Sequence, residues 1–265
     1  MIVVGTKRND IIRLRTQRLL DSRAELATLP DGKLLINTIN AFSYNNAKKD
    51  RAFAEALAGG DVLIPDGMSV VKACQWLGNE NAPAERVAGW DLFVAEMARL
   101  NELKPLETTI HHKPRKVMFF GSSDRVLEMI RERCSKDYPN VEVVTYSPPY
   151  KETFTEEDSR EMVGAINDAD PDLLWIGMTA PKQEKWTWEH WRELNVHCHV
   201  GTIGAVFDFY AGTTKRAPLW WQQHGIEWLY RLIKEPRRMW RRYIIGNVEF
   251  VMYMIGERVR GVKKT

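Results

Sequence analysis

No stretch of this 265-residue chain stays apolar for the roughly 20 positions that a membrane-spanning helix needs. The longest apolar run in its last part, residues 250–255, stops at Gly256 and Glu257. Nor does the chain open like a secretory leader, because its first five residues run straight into Lys7, Arg8, Asn9 and Asp10. The protein is therefore expected in the cytoplasm, at most lying on a membrane. Cysteine is scarce: Cys74, Cys134 and Cys198 are far apart and in no ligand spacing, which fits reduced, buried thiols. His197 and His199 flank Cys198 and would share one face of a strand. No further His or Cys cluster completes a metal site there, so a plain strand is the better reading. His111 and His112 sit in a polar connection and are read as incidental. Internal repeats, low-complexity tracts and a Gly-x-Gly-x-x-Gly turn are all missing, which leaves a nucleotide-dependent oxidoreductase little support.

What is present is an ordinary hydrophobic fraction, 44%, enough for a core. The length permits one large α/β domain with an appendage, or two small domains. Apolar, β-branched runs at 34–40, 62–65, 116–121, 141–146, 172–177 and 196–202 read as strands. Helical patterns fill 41–58, 68–77, 90–103, 124–138, 155–169 and 182–194, and Thr155 with Asp158 resembles a capping box. Short strands alternating with helices predict a mostly parallel, Rossmann-like sheet covered by helices on both faces. The polar residues 104–115, with Pro105 and Pro114, form the best internal boundary. They would divide an α/β half at 1–103 from a second at 116–213, and 214–265 would be a basic helical appendage.

That appendage is where charge gathers. Residues 214–265 hold 12 Lys or Arg and 4 Glu, a net +8, whereas the whole chain is +3 and the rest is near −5. Trp220, Trp221, Trp228, Tyr230, Trp240, Tyr243, Phe250 and Tyr253 are interleaved with the cations. Cation plus aromatic suits an anionic membrane surface, where rings sit at headgroup level. It suits nucleic acid or a phosphorylated ligand as well, so the tail alone does not choose. Helices are expected at 219–233 and 237–255, with a Trp240, Ile244 and Val248 stripe toward apolar material.

In open α/β sheets, ligands gather beyond the carboxyl ends of the strands. Those ends carry Asn37-Thr38-Ile39-Asn40, Pro65-Asp66-Gly67, Gly121-Ser122-Ser123 and the segment from Gly177 to Glu184. Asp66 is the sharpest single residue: a carboxylate there can serve as a general base on a hydroxyl or hold a cation. It can equally form the turn or cap the helix that starts at Met68. Gly121 opens a strand-to-helix turn of the kind whose amides bind phosphate, or is a tight turn and nothing more. Asp168-Ala169-Asp170 superficially matches the Asp-x-Asp metal motif of many sugar-nucleotide enzymes, yet it precedes its strand, at the opposite edge, and reads as a solvated loop.

Several segments in order carry a family resemblance: Asn37-Thr38-Ile39-Asn40, Pro65-Asp66-Gly67, Glu85-Arg86-Val87-Ala88-Gly89, Pro181-Lys182-Gln183-Glu184, Phe207-Asp208-Phe209 and Lys215-Arg216-Ala217-Pro218. Glu227-Trp228-Leu229-Tyr230-Arg231 and Glu235-Pro236, with Arg238 and Arg241, follow them. Together they resemble the WecG/TagA/CpsF family of bacterial glycosyltransferases, from about residue 34 to 245. The resemblance implies transfer of a sugar, often N-acetylmannosamine, from a UDP-sugar donor to a polyprenyl-diphosphate-linked sugar acceptor. It implies inversion at the anomeric carbon, no cofactor or metal, and a tail that meets the cytoplasmic face of a bacterial membrane and completes the site. Carried onto this chain, it makes Asp66 the base. Thr38, Asn40, Arg86 and Gln183 fall at substrate-pocket positions, and Arg231, Arg238 and Arg241 match tail arginines facing the diphosphate. Gly121 and Tyr150, at strand ends of the second half, join the substrate-binding set.

The chain departs from many members at Thr179, where a Gly is common, and at Ser147-Pro148-Pro149-Tyr150, where Gly-Tyr-Phe is common. Both departures fall at strand ends where the family binds the nucleotide-sugar. The competing reading, a basic nucleic-acid-binding α/β protein, leaves Asp66 and Gln183 without a task and shows no recognition helix. The expected partners are thus the donor, the lipid-linked acceptor and an anionic membrane, not nucleic acid, with room for a homo-oligomer.

Overall fold

A computed structural model describes residues 9–103, 106–108, 111–218, 220–221 and 224–262. The first half supplies β1 (Leu34–Ile39), α1 (Ala41–Lys49), α2 (Arg51–Gly59), β2 (Val62–Pro65), α3 (Met68–Leu77) and α4 (Gly89–Glu102). A short hairpin, β3 (Leu106–Thr108) with β4 (His111–Lys113), occupies the connection. There follow β5 (Arg115–Gly121), α5 (Asp124–Asp137), β6 (Val141–Tyr146), α6 (Glu156–Ala169), β7 (Leu173–Gly177), α7 (Lys182–Glu189), β8 (His199–Thr202) and α8 (Gly204–Ala211). The tail adds α9 (Glu227–Lys234), α10 (Pro236–Trp240), a π-helical stretch Arg241–Ile245 and α11 (Gly246–Val262).

All six long strands pair in parallel in one sheet, in the order β2-β1-β8-β7-β5-β6. This is the α/β, Rossmann-like architecture that the alternating pattern predicts. The last strand in sequence, β8, sits between β1 and β7, so both stretches flanking the hairpin build a single sheet. Side chains alternate across it. Val117 and Phe119 of β5 with Leu173 and Trp175 of β7 join α4, α5 and α8 in one core, while Met118, Phe120, Leu174 and Ile176 join α6 and α7 in another. Burial on both faces is why these strands read as continuous apolar runs.

A third core wraps the β1–β2 edge, and here the tail returns to the body. Phe250, Tyr253 and Met254 of α11 are buried against Tyr44, Val70, Ala73 and Cys74. Glu257 fastens the helix: its carboxylate accepts from the Leu14 and Arg15 amides at 3.4 and 3.2 Å and from the Tyr44 hydroxyl, and faces the Lys48 ammonium at 3.7 Å.

Several boundaries differ from the periodicity, each for a local reason. The helix expected over 41–58 breaks at Asp50, whose carboxylate accepts the Phe53 amide and starts α2. Helix α7 stops at Glu189, short of 194, and β8 begins at His199, not 196. Helix α8 was not marked by the pattern, because residues 204–211 are nearly all apolar and show no amphipathic stripe. In the tail, Trp220 and Trp221 are helical, a turn at His224 and Gly225 precedes α9 at Glu227, and Leu219 lies outside the described residues. From Pro236 the chain is helical through to Val262, because the π stretch joins α10 to α11.

Candidate active site

A cleft of about 690 Å³ lies beyond the carboxyl ends of β1 and β2. Helices α1, α3, α4 and α8 and the tail wall it. Met68, Ser69, Lys72, Ala73 and Trp76 come from one face of α3, at the spacing of successive helical turns. Asn247, Phe250, Val251, Met254 and Ile255 come from one face of α11 by the same rule. Between them stand Asp66, Arg86, Arg216, Glu227 and Arg231. The cleft is therefore two-ended: one end is a carboxylate–guanidinium cluster, the other an apolar slot between α3 and α11.

Asp66 is pinned at the base of the charged end. Its amide donates to the Ile39 carbonyl at 2.9 Å and to the Ile64 carbonyl at 3.0 Å, tying it to the tips of both strands. Helix α3 begins after Gly67 with no side-chain cap, so the Asp66 carboxylate is not spent on the helix end. Its side chain is about a third open to the cleft, but the cleft is roofed by the tail. Loss of solvation there raises its pKa above the usual Asp value, while Arg86 at 3.6 Å pulls the other way. Glu227 and Asp91 add to the rise, and Arg231 opposes it. A carboxylate held this way accepts a proton more readily than an ordinary one.

Three guanidinium groups meet at Glu227: Arg231 at 3.0 Å, Arg86 at 3.4 Å and Arg216 at 3.9 Å. Arg216 lies over the Trp90 ring at 5.4 Å, and Arg231 over Phe209 at 4.9 Å. Burial pulls the Arg216 pKa below the usual guanidinium value, with Glu227 opposing. Lys72 and Arg242 complete the cationic lining, Arg242 stacked over Phe42 at 4.4 Å.

Of the residues expected from the sequence, Asp66, Asn40, Arg86 and Arg231 come together in this cleft. Asn40 also caps α1, its carbonyl oxygen accepting the Phe42 and Ser43 amides at 3.0 Å. The others lie elsewhere. Thr38 is half-buried beside Gly89, its methyl 3.6 Å from where a Gly89 Cβ would be. Gln183 is buried at the β7–α8 junction, where its carbonyl oxygen accepts the Met178 and Gly204 amides and its nitrogen donates to Glu184. Desolvation there pushes the Glu184 carboxyl up to about 7. Gly121 has φ near 124°, and a Cβ on it would come within 2.4 Å of the Gly177 carbonyl oxygen, so it permits the close approach of β5 and β7. Tyr150 is fully exposed on its loop. Arg241 is exposed beside Trp240 and outside the cleft, and Arg242 takes the inward position. The family resemblance puts Arg241 inward, but successive helical residues point about 100° apart, so the two neighbours cannot both face the cleft. The Arg238 side chain lies outside the described residues.

Arg216, Glu227, Lys72 and Arg242 were missed as site residues. Arg216 and Glu227 stand inside the segments that carry the family resemblance, and Lys72 falls one turn after Met68, so a signal existed for those three. Elsewhere, His199 pairs with Glu96 at 3.0 Å and with the Pro30 carbonyl at 2.9 Å, a structural pairing at the opposite edge of the sheet. Among the described residues, no three His, Cys, Asp or Glu side chains gather as a metal ion would require. No helix among them is long and apolar enough to cross a membrane.

The family model described as "Glycosyl transferase WecG/TagA/CpsF family" matches residues 4–264. A Bacillus subtilis (strain 168) protein named N-acetylglucosaminyldiphosphoundecaprenol N-acetyl-beta-D-mannosaminyltransferase is 29% identical over 210 residues, 79% of this chain and 75% of that protein. The protein of the same name from Bacillus spizizenii is 29% identical over 199 residues, covering 75% and 70%. That from Staphylococcus aureus (strain MW2) is 27% identical over 231 residues, covering 87% and 83%.

Proposed function

The chain belongs to the WecG/TagA/CpsF family of glycosyltransferases, and from that premise we propose that it transfers N-acetylmannosamine or a related hexose from UDP to a polyprenyl-diphosphate-linked sugar. The observation that carries this reading is the two-ended cleft. A lipid-linked acceptor is itself two-ended, a polar sugar diphosphate on an isoprenoid chain. The apolar slot of Trp76, Phe250, Val251, Met254 and Ile255 suits the start of that chain, and the charged end suits its sugar and the donor.

In the proposed step, Asp66 takes the proton of the acceptor hydroxyl as its oxygen attacks the anomeric carbon. The bond from that carbon to the UDP oxygen breaks on the opposite face, its electron pair leaving with the diphosphate, so the configuration inverts. The raised basicity of Asp66 favours the first event. Arg86, Arg216 and Arg231 stabilise the charge that develops on the leaving diphosphate, in a site where water screens little. A nucleic-acid role fits less well, because these arginines point into a cleft beside carboxylates and not onto an open face.

The membrane enters through the outer side of the tail. Trp240, Ile244, Val248, Met252 and Val259 are exposed along the helical run, although they are apolar. A stripe of this kind, flanked by Arg237, Arg241, Arg258 and Arg260, suits the anionic cytoplasmic face of a bacterial membrane. The slot then opens beside the lipid. The test is release of UDP from a panel of UDP-sugars, with and without a short-chain lipid diphosphate bearing N-acetylglucosamine. Release with UDP-N-acetylmannosamine that depends on the acceptor supports the proposal. Release from no UDP-sugar under any acceptor condition overturns it.

A further inference from the structure

Glu227 is a carboxylate placed where a substrate anion would be expected. It is 13% exposed and is met by guanidinium groups from three separate stretches of chain. Helical spacing alone accounts for Arg231, one turn along α9. It does not account for Arg86, from the loop before α4, or for Arg216, from the segment after α8. Three guanidinium groups this close repel one another unless an anion lies among them. Arg86 is also shared, reaching Glu227 at 3.4 Å and Asp66 at 3.6 Å.

We propose that Glu227 is an internal counter-anion: it holds Arg86, Arg216 and Arg231 together and competes for them with the diphosphate of the nucleotide-sugar. The proposal rests on the UDP-donor reading above and adds a regulator of affinity to it. A diphosphate brings more negative charge than one carboxylate and more oxygens for the planar forks of arginine, so it wins the contest. The competition keeps binding of donor and product from becoming tight without gain in the transition state, and UDP can leave. Glu227 also acts on the base. The charged groups around Asp66 are Arg86, Asp91 of α4, Glu227 and Arg231 of α9, Arg216, Lys72 of α3 and Arg242 of the π stretch. Removing the Glu227 charge leaves the cations less opposed and makes Asp66 more acidic.

The experiment is calorimetric titration of the full chain with UDP, together with a pH profile of turnover. Glu227→Gln is expected to bind UDP about tenfold more tightly, the scale of removing one charge a few Å from an anion in a partly desolvated site. Its turnover should hold to lower pH than the wild type, because Asp66 stays ionised further into acid. Glu227→Ser removes the charge through a different side chain and should move both readouts the same way, so misfolding of one variant does not hide the answer. A carboxylate that merely braces the tail would give weaker UDP binding and an unmoved acidic limb. That result, or unchanged UDP affinity, overturns the proposal. A wild type that neither binds UDP nor releases it in transfer would sink the donor reading, and this one with it.

Discussion

Replacing Glu257 by alanine tests how firmly the tail belongs to the body. Its carboxylate is almost fully buried and serves four groups at once: the Leu14 and Arg15 amides, the Tyr44 hydroxyl and the Lys48 ammonium. Lys48 is as buried as its partner, with 2% of its side chain exposed. Removing one member of such a pair strands the other charge and costs about 3–5 kcal/mol. The lower part of that range applies here, since Lys48 keeps the Ile12 carbonyl at 2.6 Å and Asp10 at 3.5 Å. For a chain of this size each kcal/mol moves the melting temperature by about 2–4 °C, so a fall of about 6–12 °C is expected from about 3 kcal/mol. Urea unfolding followed by tryptophan fluorescence measures the loss. Glu257→Gln keeps an acceptor for the two amides and should lose less. Because α11 lines the cleft, UDP release should drop in Glu257→Ala even at temperatures where the sheet stays folded. A loss below about 1 kcal/mol, the value of an exposed pair, would refute the claim that this carboxylate locks the tail down.

Three further expectations concern charge. Glu96 and His199 hold each other's charged forms, so Glu96 is more acidic than its ordinary 4.5 and His199 more basic than its ordinary 6.5. The stability each lends is lost at opposite ends: Glu96's as pH falls through its lowered value, His199's as pH rises through its raised one. The stability gap between wild type and His199→Gln should therefore be widest between about pH 4.5 and 6.5 and narrow above it, and denaturant midpoints across pH would show otherwise if the pair were inert. Transfer should survive excess EDTA, since the cleft supplies its own cations; a strict need for added magnesium or manganese would contradict this. Arg242→Ala should slow turnover at least about tenfold, short of the roughly 10²–10³-fold lost with a group that directly meets the developing charge. Arg241→Ala should cost less turnover and weaken sedimentation with anionic liposomes about fivefold, the share of one basic residue at a charged surface. Equal effects of the two on turnover would undo the assignment of inward and outward arginines.

Much of this arrangement was legible in the residues. The strand ends at 37–40 and 65–67 named the cleft because a parallel sheet puts its ligands there, and Asp66 stood out because it follows an apolar run and precedes a glycine. The faces of α3 and α11 were readable as helical spacing. What periodicity could not convey is which strands become neighbours. β8 pairs with β1 across 165 residues of sequence, Leu34 opposite His199, and no local pattern records that placement. The convergence of Arg86, Arg216 and Arg231 on Glu227 is equally non-local, fixed by how the tail folds back over β1 and β2. Arg241 and Arg242 show a subtler limit. They are neighbours in a basic run, and the docking of the tail on the body decides which one turns inward. The family resemblance drew Gln183 toward substrate and a strand-end position drew Gly121, and packing engages both within the protein.

The central claim is that Asp66 accepts a proton during sugar transfer in this cleft. Its most direct test compares wild type with Asp66→Asn, following UDP release and the lipid-linked disaccharide on the same samples, with UDP affinity measured alongside. The amide has the shape of the carboxylate and cannot take the proton, so turnover should fall about 10²–10⁴-fold while UDP still binds. A variant that keeps more than half of the wild-type rate would make Asp66 a turn residue and contradict the account.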